Sequence, residues 1–309
     1  MLAFGIDEVF SEARFLLLRQ LAIGGGRELG YEFVIYTDRP QEFAMFRSTN
    51  LRLRIVHCEM SRFKAWRGAI DFVFRIKIEF LRDFCATNEG NVLYLDSDVY
   101  PRRDLTPLFD AIGQGQLFMC SLEGAIDESP WYADFRRLLV RRTVMVEGQE
   151  ARIPTSARMW NAGVIGFSTE YRDILDSVLE MTESMYPELK APATEQFAFS
   201  YLFGLHGTIH DAQGYVDHYW RLAQRGFAGV IASLEKRFEQ RPLAELVAAT
   251  EQILPERLEP ARPNTFGRLP HHHLYMRFPA LWHAVSRFKR SGQRQAAQMN
   301  RLQLLIDSL

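Results

Sequence analysis

The chain has 309 residues, of which 47% are hydrophobic and 24% are charged, and its formal net charge is -1. This composition predicts a soluble globular protein with a core of ordinary size, and the small net charge gives no basis for nucleic-acid binding. The three cysteines are far apart and form no CxxC pair, so buried free thiols are expected rather than disulfides. The sequence shows no signal peptide and no apolar run long enough to span a bilayer, which predicts a cytoplasmic protein.

The first part of the chain alternates between strand and helix patterns. A short apolar strand at 1–6 precedes a helix that Ser11 is expected to cap and that ends at the glycines 24–26. Strands are predicted at 31–38 and 51–57, one apolar helix at 66–86, and a buried strand over "VLYL" (92–95). This order predicts an α/β fold with a Rossmann-like, mostly parallel sheet that has helices on both faces.

The second part continues with further strands and helices. A helix is predicted after Ser129, a strand at 162–167, and helices at 169–185 and 194–203. From about residue 235 the composition changes to helical, charge-rich segments separated by a loop. The chain is therefore expected to have a helical C-terminal region.

Two aspartates follow the buried strand in "NVLYLDSDVYPRRDL" (91–105). In an extended chain, Asp96 and Asp98 project to the same side, at the carboxyl end of a strand where open α/β sheets bind ligands. Two carboxylates this close repel each other, and a divalent cation such as Mg²⁺ or Mn²⁺ removes the conflict while leaving positions for phosphate oxygens. The alternative interpretation of Asp96 and Asp98 is that they lie in a solvated turn and bind no ligand.

The longer segment "FRIKIEFLRDFCATNEGNVLYLDSDVYPRRDL" (74–105) resembles the central motif of nucleotide-sugar glycosyltransferases with the GT-A fold. It is most similar to the retaining branch of the lipopolysaccharide galactosyltransferases and glycogenin. The resemblance runs in element order from residue 1 to about 220, and it implies a GT-A catalytic domain at 1–235 with a helical C-terminal extension at 236–309. It also implies that Asp96 and Asp98 hold Mn²⁺ or Mg²⁺ against the donor diphosphate, with Asp96 also facing the sugar.

The resemblance implies donor-binding roles for side chains around this motif. Arg75 and Lys77 match basic residues that approach the donor sugar or phosphates, although Arg75 has Glu79 one turn away as an alternative partner. The first two strands match the nucleoside-binding edge, and Ser97 lies within the motif. The candidates at that edge are Phe4, Gly5, Ile6, Thr37 and Asp38.

Two later segments complete the implied site. "WNAGVIGF" resembles the family's Asn-Ala/Ser-Gly-Val segment, which assigns donor or acceptor contacts to Asn161, Ala162 and Gly163. "TEQFAFSYL" resembles its Asp-Gln segment, which places Gln196 near the anomeric carbon, with Glu195 replacing the aspartate. The family's third metal ligand is a C-terminal histidine. His218 is the best match and His210 the competitor, and the Gly-x-x-Lys-Pro-Trp that usually follows is missing.

The implied activity is transfer of a hexose from a nucleoside diphosphate sugar, with UDP-hexose expected, to a hydroxyl of a carbohydrate, glycolipid or protein. Retention of configuration is favoured. Inversion would need a carboxylate base, for which Asp127, Glu128 and Glu195 are candidates. One alternative is a haloacid dehalogenase-like phosphohydrolase with Asp96 as nucleophile. Another is a nucleotidyltransferase or a sugar-nucleotide binding protein without catalysis.

The C-terminal segment 271–290 mixes aromatic and basic residues. An interfacial helix there predicts peripheral contact with anionic lipid at the inner face of the membrane, and packing against the main domain is the alternative. The aromatic and basic side chains expected to contact the lipid are Trp282, Arg287, Phe288, Lys289 and Arg290.

Overall fold

The computed structural model describes residues 1–219, 231, 233, 234, 236 and 242–253. The chain divides into two compact units, Met1–His218 and Tyr219–Leu309. The first unit contains all the predicted site residues. The domain boundary expected at 235/236 stays a prediction, and so does the membrane-contact segment 271–290, which lies outside the described residues. A helix, Leu243–Thr250, is described in the second unit.

A parallel three-stranded sheet forms the first part of the fold. It consists of β1 (Leu2–Ala3), β2 (Phe33–Thr37) and β3 (Leu53–His57), in that order. The registers pair Ala3 with Thr37 and Thr37 with His57, so the three strands end at the same edge. This part confirms the predicted α/β class with parallel strands.

A second sheet has the order β12-β6-β11-β4, formed by β4 (Asn91–Leu95), β6 (Leu117–Met119), β11 (Val164–Ser168) and β12 (Ile209–Asp211). Strand β12 is parallel to β6, whereas β11 is antiparallel to both β6 and β4. Antiparallel pairing brings the start of β11 beside the end of β4. The residues before β11 are therefore next to the aspartates that follow β4.

Three antiparallel pairs complete the strands of the described residues. Strand β5 (Val99–Pro101) pairs with β13 (Val216–His218), and β7 (Leu122–Ala125) pairs with β10 (Arg158–Trp160). The third pair joins β8 (Val144–Val146) to β9 (Gln149–Ala151). The first two pairs connect distant parts of the chain.

Helices lie between these strands. The α-helices of the first unit are α1 (Asp7–Gly24), α2 (Met60–Trp66), α3 (Arg75–Thr87), α4 (Thr106–Gly113), α5 (Ala133–Arg141), α6 (Ile174–Leu189) and α7 (Thr194–His206). Short 3₁₀ helices occupy Pro40–Phe46, Pro130–Tyr132 and Thr169–Tyr171.

Two of the helix predictions need correction. Helix α1 begins at Asp7, so Ser11 lies inside it and does not cap it; Asp7 and Glu8 place negative charge in its first turn instead. The helix predicted at 66–86 begins only at Arg75, as α3, because α2 ends at Trp66 and residues 67–74 form turns between the two helices. Gly68 separates them with a φ of +64°, a conformation that favours glycine.

The core is aromatic and aliphatic, as the composition predicts. The largest side chains with almost no exposure include Phe10, Phe15, Phe43 and Tyr100. All three cysteines are free and buried, which confirms the expectation of unpaired thiols. Among the described helices, none is both long and apolar enough to cross a membrane.

Candidate active site

The two aspartates lie in a turn between β4 and β5, and not in extended chain as the sequence suggested. The N–H of Asp96 donates to the carbonyl of Gly163 at 2.9 Å, which continues the pairing of β4 with β11 for one residue. Ser97 and Asp98 then turn the chain into β5. Strand alternation is therefore not what brings the two carboxylates together. The turn does, at the edge of the sheet where β4 ends.

His218 joins the aspartates through the pairing of β5 with β13. The register places His218 opposite Val99, directly after Asp98. Its Nε2 lies 3.0 Å from Asp98 Oδ1 and 4.0 Å from Asp96 Oδ2, and one atom from each of the three residues lies within 4.8 Å of the others. The competing histidine, His210, lies on β12 against the ring of Phe118.

Charge within this group favours the ionised pair of Asp98 and His218. Burial of Asp98 acts to raise its pKa, whereas the facing imidazole of His218 acts to lower it. The lowering effects outweigh burial, so the pKa of Asp98 lies below its ordinary value. Burial likewise acts to lower the pKa of His218, and the carboxylate of Asp98 more than offsets this, so its pKa lies above the ordinary value. Without a cation, the histidine therefore compensates part of the negative charge.

Lys77 lies beneath Asp96 as a buried ammonium group. Its Nζ donates to Asp96 Oδ2 at 3.1 Å, to Glu195 Oε1 at 3.2 Å and to the carbonyl of Ala162 at 3.0 Å. An ammonium has three N–H donors, so each donor has an acceptor here. The second oxygen of Asp96 accepts from the hydroxyl of Tyr94 at 2.6 Å. Lys77 thus fixes Asp96, while its predicted direct contact with a donor stays a prediction.

Glu195 belongs to the same buried cluster. Its side chain is 3% exposed, and its Oε2 is buried without a hydrogen-bond partner in the structure. Burial raises the pKa of Glu195, although Lys77 opposes this shift. For Lys77, burial acts to lower the pKa, and the two carboxylates outweigh it, so the ammonium stays charged. A role in holding Lys77 suits Glu195 better than a role as a base at an acceptor.

Two side-chain amides lie beside the acidic group and share one carboxylate. Asn161 Nδ2 donates to Glu123 Oε1, and Gln196 Nε2 donates to Glu123 Oε2, both at 3.0 Å. The amide oxygens accept from backbone N–H groups, Asn161 Oδ1 from Gly163 at 3.0 Å and Gln196 Oε1 from Ala162 at 3.2 Å. The structure therefore assembles the predicted residues 161–163 and 196 around Glu123, a residue that no local sequence signal indicates.

Gly163 allows the closest approach in the site. A Cβ at this position would lie 2.3 Å from Nδ1 of His218, well inside any normal contact. We therefore expect Gly163→Ala to displace the imidazole from the two aspartates and to lower the affinity for Mn²⁺ by about 10–100-fold, the usual range when a ligand's support is lost. Calorimetric titration of Mn²⁺ in the presence of UDP measures this change.

The matched control for this prediction is Gly204→Ala. Gly204 lies in α7, and a Cβ there would meet no atom within 4 Å. Its replacement should raise the stability of the helix slightly, by less than about 1 kcal/mol, and should leave the Mn²⁺ affinity unchanged. Equal affinities for the two variants would contradict the placement of His218.

The predicted donor edge lies where β1 and β2 end. Gly5 has a φ of +88°, its N–H donates to Asp38 Oδ1 at 3.3 Å, and a Cβ there would meet nothing within 4 Å. The neighbouring Ile6 is 61% exposed. Thr37 is buried, and the ring of Phe4 stacks on Phe63 with centroids 4.2 Å apart. Gly5, Ile6 and Asp38 thus form an open edge, whereas Thr37 and Phe4 support it from within.

Glu12, on α1, connects this edge to the turn after β4. Its Oε2 accepts from the hydroxyl of Ser97 at 3.3 Å. Burial and the nearby charge of Asp98 raise the pKa of Glu12 to about 8. Sequence reasoning missed this residue, because a lone glutamate in a helix is ordinarily a solvated surface group.

Arg75 lies in a different ion-pair cluster. Its guanidinium contacts Glu79 at 2.8 Å and Glu183 at 2.7 Å and donates to the carbonyl of Trp66 at 2.7 Å. The pairing with Glu79 is the alternative that its sequence position allowed. Arg75 therefore fastens α3 to α2 and α6, and its contact with a donor stays a prediction.

The acidic group fits a divalent cation. Two carboxylates and one imidazole nitrogen are ligands that Mn²⁺ accepts, and the oxygen pair also suits Mg²⁺. The side chains of Asp96 and Asp98 are 22% and 31% exposed, which leaves a route from solvent. These three residues are the ones that would hold the ion.

The backbone is similar to solved glycosyltransferase structures. Galactosyltransferase LgtC, solved with donor and acceptor sugar analogs, matches 82% of this chain and 98% of its own chain at 15% identity and a TM-score of 0.47. Mouse xyloside xylosyltransferase 1 matches 68% of this chain and 82% of its own at 12% identity and 0.42. Glycosyltransferase GlyE from Streptococcus pneumoniae TIGR4 matches 83% of this chain and 61% of its own chain, at 16% identity and a TM-score of 0.42. No protein-family model and no curated protein sequence matches the chain.

Proposed function

We propose that the chain is a GT-A type glycosyltransferase that depends on a divalent cation. It would transfer a hexose from a nucleoside diphosphate sugar, with UDP-hexose as the expected donor, to a hydroxyl of a carbohydrate, glycolipid or protein acceptor. The observation that carries this proposal is the convergence of Asp96, Asp98 and His218 at the end of the buried strand β4. Beside that group lie two oriented amides, Asn161 and Gln196.

The reaction replaces one bond to the anomeric carbon by another. The bond to the diphosphate oxygen breaks and its electron pair leaves with the diphosphate, while the acceptor oxygen forms the new bond and its proton passes to the departing diphosphate or to water. When bound by the three residues, a divalent cation would supply positive charge for the leaving diphosphate. Lys77 and Tyr94 keep Asp96 in place for that purpose.

The amides define the side of the site at which the sugar would lie. Both are fixed by Glu123 and by backbone N–H groups, so their orientations do not depend on a ligand. A polar surface held in this way suits a substrate with several hydroxyl groups, because fixed donors and acceptors need little reorganisation. Gln196, near the anomeric carbon in the resembling family, is the candidate for contact with the reacting centre.

Retention of configuration is the course that the resemblance favours. Among the carboxylates suggested as a base for inversion, Glu195 is buried against Lys77, which disfavours it in that role. The hydrogen bonds of Asp96 favour the metal site over the phosphohydrolase alternative. Both oxygens of Asp96 already accept hydrogen bonds, from Tyr94 and Lys77, which suits a fixed ligand better than a nucleophile.

The test combines nucleotide binding with a donor panel. We expect UDP to bind in calorimetric titration with Mn²⁺ present and to lose most of its affinity when the cation is chelated. We also expect one UDP-sugar in a panel to release UDP at a rate that rises when simple glycosides are added as acceptors. Mass spectrometry of the acceptor would show the gain of one hexose.

Different outcomes would identify the alternatives. Inorganic phosphate released from a simple monoester, with no UDP from any donor, would support the phosphohydrolase. Pyrophosphate released from a nucleoside triphosphate would support the nucleotidyltransferase. Nucleotide affinity that does not depend on the cation would contradict the proposal itself.

A further inference from the structure

Glu123 is a charged group of the site to which the proposed chemistry gives no direct part. It lies on β7, is only partly exposed, and accepts hydrogen bonds from three side chains. These are Asn161 and Gln196, each at 3.0 Å, and the hydroxyl of Tyr132 at 2.5 Å. A carboxylate can only accept, so each of the three groups must present a donor to it.

This restriction fixes the orientation of the Asn161 amide. Its NH₂ group faces Glu123, which cannot donate, and its oxygen faces the N–H of Gly163, which cannot accept. Both neighbours therefore require the same orientation, and turning the amide over would oppose like groups on both sides. Asn161 as a whole residue is 3% exposed, so water cannot relieve such a mismatch easily.

The oxygen of Asn161 in turn faces His218. Asn161 Oδ1 lies 2.7 Å from Nδ1 of the imidazole, and an amide oxygen can only accept. Nδ1 must therefore carry the hydrogen of this bond. The other ring nitrogen, Nε2, points at Asp98 and Asp96, which is where the cation would lie. In a neutral imidazole with its hydrogen on Nδ1, Nε2 has the free lone pair that a metal requires.

We infer that Glu123 is a positioning residue for the metal site: through Asn161 it holds His218 in the form whose Nε2 can bind a divalent cation. This inference rests on the proposed function, because it takes Asp96, Asp98 and His218 as the ligands. Groups that hold a metal-binding histidine by its second nitrogen typically change metal affinity by about 10–100-fold when they are removed. Here a neutral amide connects the carboxylate to the imidazole.

Glu123→Gln tests this connection with almost no change in volume. The new amide oxygen at position 123 has to accept from Gln196 and Tyr132, because Gln196 is itself fixed by the N–H of Ala162. Its NH₂ group then opposes the NH₂ of Asn161. We expect Asn161 to turn over and relieve this contact, at the cost of the hydrogen bond that its oxygen accepts from the N–H of Gly163. His218 would then accept at Nδ1 and carry its hydrogen on Nε2, which removes the metal ligand.

The combination E123Q/N161D should restore the arrangement. A carboxylate at position 161 accepts from the amide at 123, from Gly163 and from Nδ1 of His218, so every hydrogen bond has a donor and an acceptor again. Tyr132→Phe is the matched control, because it removes a different hydrogen bond of Glu123 and leaves the contact with Asn161. Circular dichroism and urea unfolding would show that each variant folds.

The measurement is pulsed electron paramagnetic resonance of bound Mn²⁺, alone and with UDP, which detects a nitrogen ligand through its ¹⁴N coupling. We expect ¹⁴N coupling from one imidazole in the unchanged protein and in Y132F, its loss in E123Q with an affinity about 10–100-fold lower, and its return in E123Q/N161D. The coupling decides the test, because the extra carboxylate in the double variant raises cation affinity by charge alone.

The outcomes separate this inference from the proposed function. Coupling that persists in E123Q, or that stays absent in a folded E123Q/N161D, overturns the role of Glu123. Mn²⁺ bound without ¹⁴N coupling in the unchanged protein also overturns it but leaves a carboxylate metal site. An unchanged protein that binds no Mn²⁺ overturns both.

Discussion

Asp98→Asn should remove cation-assisted binding of UDP while the protein stays folded. The asparagine oxygen can still accept from Nε2 of His218, the 3.0 Å contact that joins β5 to β13. The substitution gives up the charge attraction between Asp98 and His218 but relieves the repulsion of Asp98 with Glu12, so we expect the protein to stay folded. The cation, however, loses one of two anionic ligands. Since loss of a group that merely supports a ligand costs about 10–100-fold in affinity, loss of the ligand itself should cost more than about 100-fold.

The effect on transfer should be larger than the effect on binding. Charge stabilisation of a leaving group by a metal contributes several kcal/mol, so the rate should fall about 10³-fold or more. In the unchanged protein, Mn²⁺ and UDP at 100 times their dissociation constant should stabilise the fold by about 2.7 kcal/mol. The melting temperature should therefore rise by about 4 °C, and in Asp98→Asn it should not rise.

Asp110→Asn is the matched control for this experiment. Asp110 is exposed on α4, and its replacement removes the same charge from the net total. It should keep the cation-dependent melting shift, which excludes an effect of net charge. If Asp98→Asn keeps the shift as well, Asp98 is not a ligand and the metal site described above is wrong.

The acidic pair was predictable because its signal is local. An apolar strand followed by two aspartates predicted a ligand-binding edge, although β4 pairs antiparallel with β11 and the turn after β4 brings the two carboxylates together. A local pattern could not predict the position of His218, because its contact with Asp98 spans 120 positions and depends on the pairing of β5 with β13. Its role was predicted only through a resemblance, and the structure places its imidazole beside Asp98.

Glu123 and the break before α3 show what sequence patterns do not contain. Glu123 reaches Asn161 across 38 positions through the pairing of β7 with β10, and no periodicity encodes that pairing. The apolar spacing from 66 to 86 continues through the turns at 67–74, so it predicted one continuous helix there. The chain separates at Gly68, where a Cβ would lie 2.7 Å from Nε of Arg75, and that contact exists only in the folded protein.

The role of Lys77 also follows from long-range contacts. Its position on an apolar helix suggested a charge directed at a donor phosphate. In the structure it is surrounded by acceptors from three separate parts of the chain, Asp96, Ala162 and Glu195. The order of the elements was thus predictable from local patterns, whereas the partner of each buried charge was not.

Lys77→Met should be the most destabilising of the substitutions considered. Methionine fills a similar volume, but Glu195 and Asp96 lose the ammonium group that compensates them. Removing one partner of a buried ion pair costs about 3–5 kcal/mol, because the other charge is left in a medium of low polarity. Urea unfolding at pH 7, followed by circular dichroism, measures this loss. A loss below about 1 kcal/mol would contradict the compensation that we describe.

The loss of unfolding free energy in Lys77→Met should depend on pH, because Glu195 is buried and can take up a proton. Burial already raises the pKa of Glu195, and without Lys77 its neutral form is favoured further in the folded protein. The folded state then holds a proton that the unfolded state releases above its ordinary pKa near 4.5, so stability falls as the pH rises from there. The stability deficit of Lys77→Met relative to the unchanged protein should therefore shrink as the pH falls from 7 to 5.

In K77M/E195Q the buried carboxylate is absent, so the double variant should be more stable than K77M at pH 7 and should lack this extra pH dependence. If the deficit instead grows on acidification, the buried charge of Glu195 is not its cause.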